Sequence, residues 1–451
     1  MNLPELFTRL RKYDRTNGSP LSRYLVKGTL ASAAMQVCAM AIAFFTPFII
    51  ARLGGAEVYG RYTYLVACIS TAAGLAILGM DNLLLRQAAL YKATGGAPSL
   101  KAVFIFAFCI VLGTSVLVCF LLPPFLTVTA PRAQISQFIA PALIALPIMA
   151  LTILLQAGLQ GMQKVIAAQL AEKFIKPIVF LLPVLVDYLV FKKHMTVFSL
   201  MWLNMFAVGA GFIWIAIHFY RHFHPVLHKV KLELQTKKWI KSGGYFFMLS
   251  LVQLVITRAD VLMLGAFKGG IDVGTYNFAA RLADLVSMPQ FILNLITAPS
   301  IASLYFSGKS VRLKKLISAS VIAACTFSLA AALALIILGN SILAFFGTGF
   351  TGGYMALVVI ATAQLANVAC GPAGNILAMT GFEKFDFISM VAGAATNVVL
   401  NALLIPPYGI NGAAIATATG IVVWNVMMLY FVRKKIHINS SILGALIVSK
   451  V

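Results

Sequence analysis

Apolar stretches of about twenty residues recur along the whole chain, separated by short polar segments. Backbone groups in lipid must be hydrogen-bonded within their own segment, so each stretch is expected to be a helix. The pattern predicts an all-α polytopic membrane protein with about twelve transmembrane helices, numbered here as spans 1 to 12. The predicted bounds are 29–51, 62–80, 102–123, 137–158, 168–190, 197–218, 244–266, 277–304, 317–346, 354–379, 387–406 and 410–432. Span 9 is long enough to tilt, or to be broken near Gly339.

Composition supports a membrane protein and excludes a soluble one. Hydrophobic residues make up 61% of the chain and charged residues 10%, whereas soluble domains carry about 25% charged residues. The first segment, residues 1–28, is polar and basic, so span 1 is expected to be retained rather than cleaved as a signal peptide. All six cysteines fall inside apolar segments without a C-x-x-C pair. We expect them to be small buried apolar residues, with no disulfide, metal or cofactor role.

Basic residues are distributed unevenly between the predicted loops. With a cytoplasmic N-terminus, 25 of the 35 Lys and Arg lie in inner loops and tails, and six lie in outer loops. This bias predicts that both termini are cytoplasmic. It also explains the net charge of +23 without nucleic acid, because basic loops lie against an anionic lipid leaflet.

The chain repeats itself at an offset of about 215–220 residues. Residues 54–62 read GGAEVYGRY and 269–276 read GGIDVGTY, while 158–164 read GLQGMQK and 378–384 read AMTGFEK. Six spans per half is an even number, so the halves are predicted to be parallel repeats around a central cavity. The predicted organisation is a cytoplasmic tail (1–28), an N-terminal bundle (29–220), a basic linker (221–243), a C-terminal bundle (244–432) and a second cytoplasmic tail (433–451).

Four stretches resemble the polysaccharide-biosynthesis, or oligosaccharide flippase, family, which shares a superfamily with multidrug and toxin extrusion transporters. They read IIARLGGAEVYGRYTY with LGMDNLLLRQAALY, TRADVLMLGAFKGGIDVGTYNFAARL, MTGFEKFDF, and NVVLNALLIPPYGINGAAIATATG. The resemblance implies two six-helix bundles in a V around a cavity. It also implies export of a polyprenyl-pyrophosphate-linked oligosaccharide, such as a lipopolysaccharide O-antigen or exopolysaccharide unit, across the cytoplasmic (inner) membrane of a bacterium. The implied partners are this lipid-linked oligosaccharide, membrane lipids, and polysaccharide polymerase and chain-length proteins.

Ionisable residues inside apolar spans point to candidate functional groups. Each costs roughly 2.5–3.5 kcal/mol on insertion scales, so such residues face a cavity or a partner. Here they concentrate on three spans: Glu172, Lys173 and Lys176 on span 5, Arg258 and Asp260 on span 7, and Arg281 and Asp284 on span 8. A pyrophosphate needs fixed cations, and the planar guanidinium binds phosphate oxygens bidentately. Arg258 is therefore our first candidate for substrate binding, followed by Lys173, Lys176 and Arg281.

Local pairing within a helix is the alternative interpretation of these charges. Glu172 precedes Lys176 by four residues, the favourable order for a helical ion pair. Arg281 and Asp284 are three apart and share a face. Both pairs could be purely structural.

Two further positions have their own alternatives. Asp260 is two residues from Arg258, about 200° around the helix, so one should face the cavity and the other a neighbouring helix. Asp260 could bind a coupling ion or proton, or be the structural partner of an arginine. Asp81 and Arg86, after span 2, are candidates for a gate at the inner end.

Polar uncharged residues lie within several spans. Asn397 and Asn401 share a face of span 11, and Gln364 and Asn367 lie on span 10. Such amides can bind sugar hydroxyls or form hydrogen bonds between helices.

Two rival functions remain in view. A multidrug extruder of the same fold would favour an acidic cavity for cationic drugs. The charges in the spans are balanced overall, so the charge balance alone does not decide between the two functions. A membrane glycosyltransferase or polymerase needs catalytic groups on a sizeable loop, and the predicted outer loops are short and mostly apolar. The absence of a sizeable catalytic loop argues against an enzyme. The sequence has no P-loop motif for ATP, which disfavours direct ATP drive, so we expect a secondary transporter.

Overall fold

The computed structural model describes residues 20–94, 100–129, 136–189, 195–227 and 236–448, and the regular structure in these ranges is helical. Eight helices are long and apolar enough to cross a membrane, and a bent helix is a ninth. Two of the eight contain a break, at Gly55 and at Gly409, and each of these forms two spans. With span 5, which a π-helical turn interrupts, the structure contains the twelve predicted spans.

The N-terminal half contains spans 1 to 6. Spans 1 and 2 form the stretch Pro20–Ile77, with its break at Gly55, and the short helix Met80–Thr94 follows. The remaining spans are Leu100–Thr129 (span 3), Ser136–Gly161 (span 4), Val165–Leu170 with Ala171–Ile175 and Lys176–Leu189 (span 5), and Val197–Leu227 (span 6).

The C-terminal half contains spans 7 to 12 and a short final helix. Its bounds are Thr236–Phe267 (span 7), Gly270–Phe306 (span 8), Ser310–Phe346 (span 9), Tyr354–Ala369 with Ala373–Met379 (span 10), Glu383–Ile436 (spans 11 and 12) and Ile442–Val448. Span 8 bends by 47° between Ala298 and Ser300. The sequence has Pro299 there, whose backbone lacks an N–H to donate.

Several helices extend beyond the predicted spans, because the apolar window marks only the lipid-crossing part of a helix. Span 1 begins at Pro20, inside the predicted tail 1–28. Spans 6 and 7 extend into the predicted linker, of which 228–235 lies outside the described residues. The predicted tail 433–451 contains the end of span 12 and the helix Ile442–Val448, which packs on span 9.

The possible break in span 9 is not found. Span 9 is unbroken at Gly339, where the missing side chain makes room for Leu357 and Tyr354 of span 10. The break lies instead in span 10, at Gly371, which has φ +76°.

The expectation that all six cysteines are buried is also wrong. Cys68 is buried, but Cys38 and Cys109 are exposed, and Cys119, Cys325 and Cys370 are half-buried. An apolar segment does not determine which side of its helix faces the protein interior.

The internal repeat appears in the backbone. Gly55 (φ +73°) and Gly269 (φ +110°) precede the second helix of each half, and only glycine adopts such angles without strain. Gly60 and Gly274 follow at the same spacing and lie against each other, where a Cβ on Gly274 would come within 2.8 Å of the Gly60 Cα. Spans 2 and 8 therefore meet backbone to backbone at the predicted outer end, where the missing side chains let the halves approach.

Spans 2 and 7 form a second contact between the halves. Gly265 accommodates the ring of Tyr64, and Gly74 accommodates the side chain of Leu254. At the predicted inner end, a Cβ on Gly79 would come within 2.6 Å of the Phe247 backbone nitrogen. Glycines thus allow close packing between the halves from one end of this contact to the other.

Candidate functional site

Span 5 has a local helix distortion at its charged residues. The Lys176 N–H donates to the carbonyl oxygen of Ala171, a π-helical bond, and Pro177 has no N–H to donate in turn. Such π turns occur frequently at functional sites. The distortion widens the helix between Glu172 and Lys176, and the predicted ion pair between them is not formed.

Three predicted cations come together from both halves of the protein. Arg258 of span 7 lies within electrostatic range of Arg281 on span 8 and of Lys176 on span 5. Arg281 also acts electrostatically on Tyr59 of span 2. We call Lys176, Arg258 and Arg281 the cation cluster. It lies where the N-terminal half meets spans 7 and 8.

The cation cluster is only partly neutralised. Glu172 lies within electrostatic range of Lys176, and Asp284 lies within that range of Arg281. Among the residues that the structure describes, however, the single salt bridge joins Arg61 to Glu57, outside the cluster. Asp284 instead accepts a hydrogen bond from Gln364 at 3.1 Å. The alternative of tight local pairing is therefore not what the structure contains.

Lys173 and Glu172 belong to the π turn itself. Lys173 is half-buried, lies within electrostatic range of Glu172, and donates to Gln169 Oε1 at 3.3 Å. Glu172 and Lys176 line a small cavity of about 50 Å³ between spans 4, 5 and 6, together with Gln156.

Asp260 points away from the cation cluster into the C-terminal half. It accepts hydrogen bonds from Tyr276 Oη (2.8 Å), Asn401 Nδ2 (2.7 Å) and Thr417 Oγ1 (2.8 Å), on spans 8, 11 and 12. Asn401 also donates to Asn397 Oδ1 at 3.0 Å. The prediction that Arg258 and Asp260 face different surroundings is confirmed. Within the described part of the chain, Asp260 has no arginine partner.

The Asp260 network brings three oxygen atoms close together. Tyr276 Oη, Thr417 Oγ1 and Asp260 Oδ2 lie 2.8 Å from one another, giving three close oxygen pairs. The two hydroxyls supply two hydrogens when the carboxyl is ionised. Asn401 Oδ1 is buried and has no hydrogen-bond partner in the described region. Polar groups from three spans therefore surround the Asp260 carboxylate, as the ion-coupling interpretation requires.

The predicted gate residues lie beside the inner contact between the halves. Leu78 and Gly79 both have positive φ, and this turn lies against span 7. Asp81 follows the turn and accepts from Asn82 Nδ2 at 3.4 Å, and burial raises the pKa of its carboxyl. Arg86 is exposed and is not ion-paired with Asp81 among the described residues.

Sequence reasoning missed Tyr276 and Thr417 as partners of Asp260. Both are hydroxyl residues within apolar helices, where they carry no charge to mark them. Tyr276 does lie in the repeated GGIDVGTY motif. The motif marks its position in the second half, but it does not indicate that Tyr276 contacts Asp260.

Twelve helices in two repeated halves give this chain a fold that is also found in solved membrane transporters. The structure of the lipid II flippase MurJ in an inward closed conformation is similar, with TM-score 0.71 and 14% identity, covering 93% of this chain and 90% of that one. An inward-facing multidrug MATE transporter has TM-score 0.61 and 15% identity, covering 88% and 94%. A superfamily transporter from Pyrococcus furiosus has TM-score 0.60 and 15% identity, covering 91% and 96%.

Sequence comparison then gives the family. The family described as polysaccharide biosynthesis protein matches residues 25–304, and the chain belongs to it. The probable flippase AglR of Haloferax volcanii is 24% identical over 204 residues, which cover 44% of this chain and 42% of that protein. The match therefore spans less than half of that relative. The predicted fold class and family are confirmed.

Proposed function

We propose that this protein is a secondary transporter that flips a polyprenyl-pyrophosphate-linked oligosaccharide across the cytoplasmic membrane by alternating access. The carrying observation is the cation cluster, because Lys176 comes from one half and Arg258 and Arg281 from the other. A pyrophosphate bound by all three would contact both halves at once. Rocking of the halves would then move the bound group from one side to the other.

The chemistry of the cluster favours this substrate over a cationic drug. Like charges gathered in a low-dielectric region repel one another, and an anion relieves the repulsion. A drug cation would add to it. Membership of the polysaccharide biosynthesis protein family supports a glycan substrate, and the similar flippases support a lipid-linked one. The substrate's prenyl chain would remain in the lipid while the head group crosses.

The proposed orientation places the basic loops and both termini in the cytoplasm, as the distribution of Lys and Arg predicts. Spans 2 and 8 then close the outer end through Gly60 and Gly274. Asp81 and Arg86 are proposed to act beside the inner gate. Polysaccharide polymerase and chain-length proteins are proposed to receive the exported unit outside.

The function is tested by locating the lipid-linked glycan in cells. Spheroplasts of a strain lacking the gene should accumulate it in the inner leaflet, where a membrane-impermeant oxidant such as periodate does not reach it. Expression of the full chain should restore the oxidant-accessible pool. A normal outer pool in the deletion strain, accompanied by new sensitivity to cationic drugs, would support the multidrug alternative instead.

We also propose that Asp260 couples transport to an ion gradient. The Asp260→Asn variant keeps the shape of the network but removes its charge, so gradient-driven accumulation should fall at least about tenfold while slow exchange without a gradient persists. Proteoliposomes with either a proton or a sodium gradient measure both rates.

The matched control is Asp187→Asn, a half-buried carboxyl of span 5 that lies outside the network. It should transport like the unmodified protein. Equal gradient-driven accumulation by Asp260→Asn and the unmodified protein would leave Asp260 with a structural role only.

A further inference from the structure

A cavity of about 270 Å³ lies in the C-terminal half between spans 8, 10, 11 and 12. It is slightly smaller than pockets that bury drug-sized ligands, roughly 300–1,000 Å³. Its polar lining consists mainly of amide side chains, and Trp424 and Phe291 contribute aromatic rings. We call it the amide pocket. The residues that carry the argument are Gln290, Asn367, Asn375, Asn425, Phe291 and Trp424.

Three amide groups of this pocket each use one N–H donor within the protein. Gln290 Nε2 donates to the Gly371 carbonyl oxygen at 2.8 Å, and Asn375 Nδ2 donates to that of Asn294 at 3.2 Å. Asn425 Nδ2 likewise donates to the carbonyl oxygen of Ile421 at 2.8 Å. Each of these amides keeps a second N–H and its oxygen, so the pocket suits hydroxyl groups, which both donate and accept hydrogen bonds.

Gln290 shows the need for such a ligand most directly. Its side chain is only 9% exposed, and its Oε1 has no hydrogen-bond partner in the described structure. A buried acceptor without a partner is costly. The bond from Nε2 to Gly371 holds the amide in place, so the oxygen stays buried beside the pocket.

The pocket is unsuited to the pyrophosphate itself. Its described lining contains no charged side chain, and the carboxylate of Asp386 lies behind Gly374, where it would repel an anion. The ring faces of Trp424 and Phe291 offer apolar surface instead. A sugar ring combines an apolar C–H face with hydroxyl groups at its edge. The C–H face can pack on the aromatic rings, and the hydroxyl groups can form hydrogen bonds with the amides.

A polar path connects the amide pocket with the cation cluster. Asn367 Nδ2 donates to Gln364 Oε1 at 3.1 Å, and Gln364 Nε2 donates to Asp284 Oδ1 at 3.1 Å. Asp284 lies within electrostatic range of Arg281. Along span 8, Gln290 lies nine residues beyond Arg281, or about 14 Å at 1.5 Å per residue. One molecule can therefore reach both sites.

We infer that the amide pocket binds one uncharged sugar ring of the substrate's head group and thereby contributes to glycan specificity. This inference rests on the proposed function, because it assigns the pyrophosphate to the cation cluster and the sugar to the pocket. Selection between lipid-linked glycans would then come from the C-terminal half. The cations would bind the pyrophosphate that all such lipids share.

The test compares two lipids offered together. The full-length protein in nanodiscs receives an equal mixture of bare undecaprenyl pyrophosphate and the lipid-linked glycan extracted from the cells that make it. Native mass spectrometry measures the ratio of the two bound lipids. The unmodified protein should prefer the glycan-bearing lipid by about tenfold or more, as two hydrogen bonds and a ring contact would give.

Pocket variants should remove this preference without removing binding. Trp424→Leu and Gln290→Met should bring the ratio to within about twofold of one, while Trp424→Phe, which keeps a ring, should retain part of the preference. The control Trp202→Leu replaces a tryptophan of span 6, outside the pocket, and should keep the original ratio. Equal thermal melting among the variants shows that each is folded.

Each remaining outcome has a distinct meaning. An unmodified ratio in both Trp424→Leu and Gln290→Met, or no preference in the unmodified protein, would overturn the sugar site and leave the proposed function standing. Binding of neither lipid by the unmodified protein would instead contradict the proposed function itself.

Discussion

The Arg258→Ala variant is expected to export the lipid-linked glycan at least about 100-fold more slowly than the unmodified protein. Hydrogen bonds to charged groups contribute about 1.5–3 kcal/mol each, and a guanidinium can form two with one pyrophosphate. Arg258 is also within electrostatic range of both other members of the cation cluster, Lys176 and Arg281. Its loss would leave Lys176 and Arg281 without the cation that interacts with both of them.

Arg258→Lys should retain roughly a tenth of the activity, because the charge remains but the bidentate fork does not. The matched control is Arg61→Ala, which removes an arginine that is salt-bridged to Glu57 at 2.7 Å outside the cluster. Initial rates in proteoliposomes, at equal protein levels, measure the effect. Full activity of Arg258→Ala would remove this residue from the proposed substrate site.

The second large effect is expected from Gly60→Leu. A Cβ on Gly60 would overlap the carbonyl oxygen of Gly270, and the nearest other atom is the Gly274 nitrogen at 2.6 Å. The helices must separate to accept any side chain here, and overpacking of this kind costs about 1–3 kcal/mol. We expect the outer end to open, export to stop, and Tm to fall by roughly 2–4 °C or more.

Gly113→Leu is the matched control, because a Cβ at Gly113 of span 3 has no heavy atom within 4 Å. Thermal melting in detergent and export in proteoliposomes distinguish the two variants. Unchanged melting and export by Gly60→Leu would show that the contact between spans 2 and 8 is not needed for closure.

The membrane-spanning architecture could be predicted from the sequence because lipid imposes a strong constraint on the chain. Apolar length determines the spans, and the repeated motif around Gly55 and Gly269 marks the equivalent helices of the two halves. Helical geometry alone also separates Arg258 from Asp260. The hydrogen bond between Asn397 and Asn401 likewise follows from their spacing of four residues.

The contacts between distant helices were beyond sequence reasoning. Tyr276 and Thr417 are separated from Asp260 by 16 and 157 residues, and neither distance is related to a helical period. The π turn at Ala171–Ile175 depends on a backbone rearrangement that hydropathy does not register. The amide pocket depends on the break at Gly371, which brings the two parts of span 10 around Gln290.

The segment after span 12 has a practical consequence for labelling this protein. Ser440 Oγ donates to the Cys370 carbonyl oxygen at 3.0 Å, and the missing side chain of Gly371 makes room for the Ser440 backbone. The same Gly371 carbonyl holds Gln290 in place. A fluorescent reporter fused in place of residues 437–448 would therefore disturb Gly371 and the amide pocket that it lines. A reporter appended after Val451 through a flexible linker would leave these contacts in place.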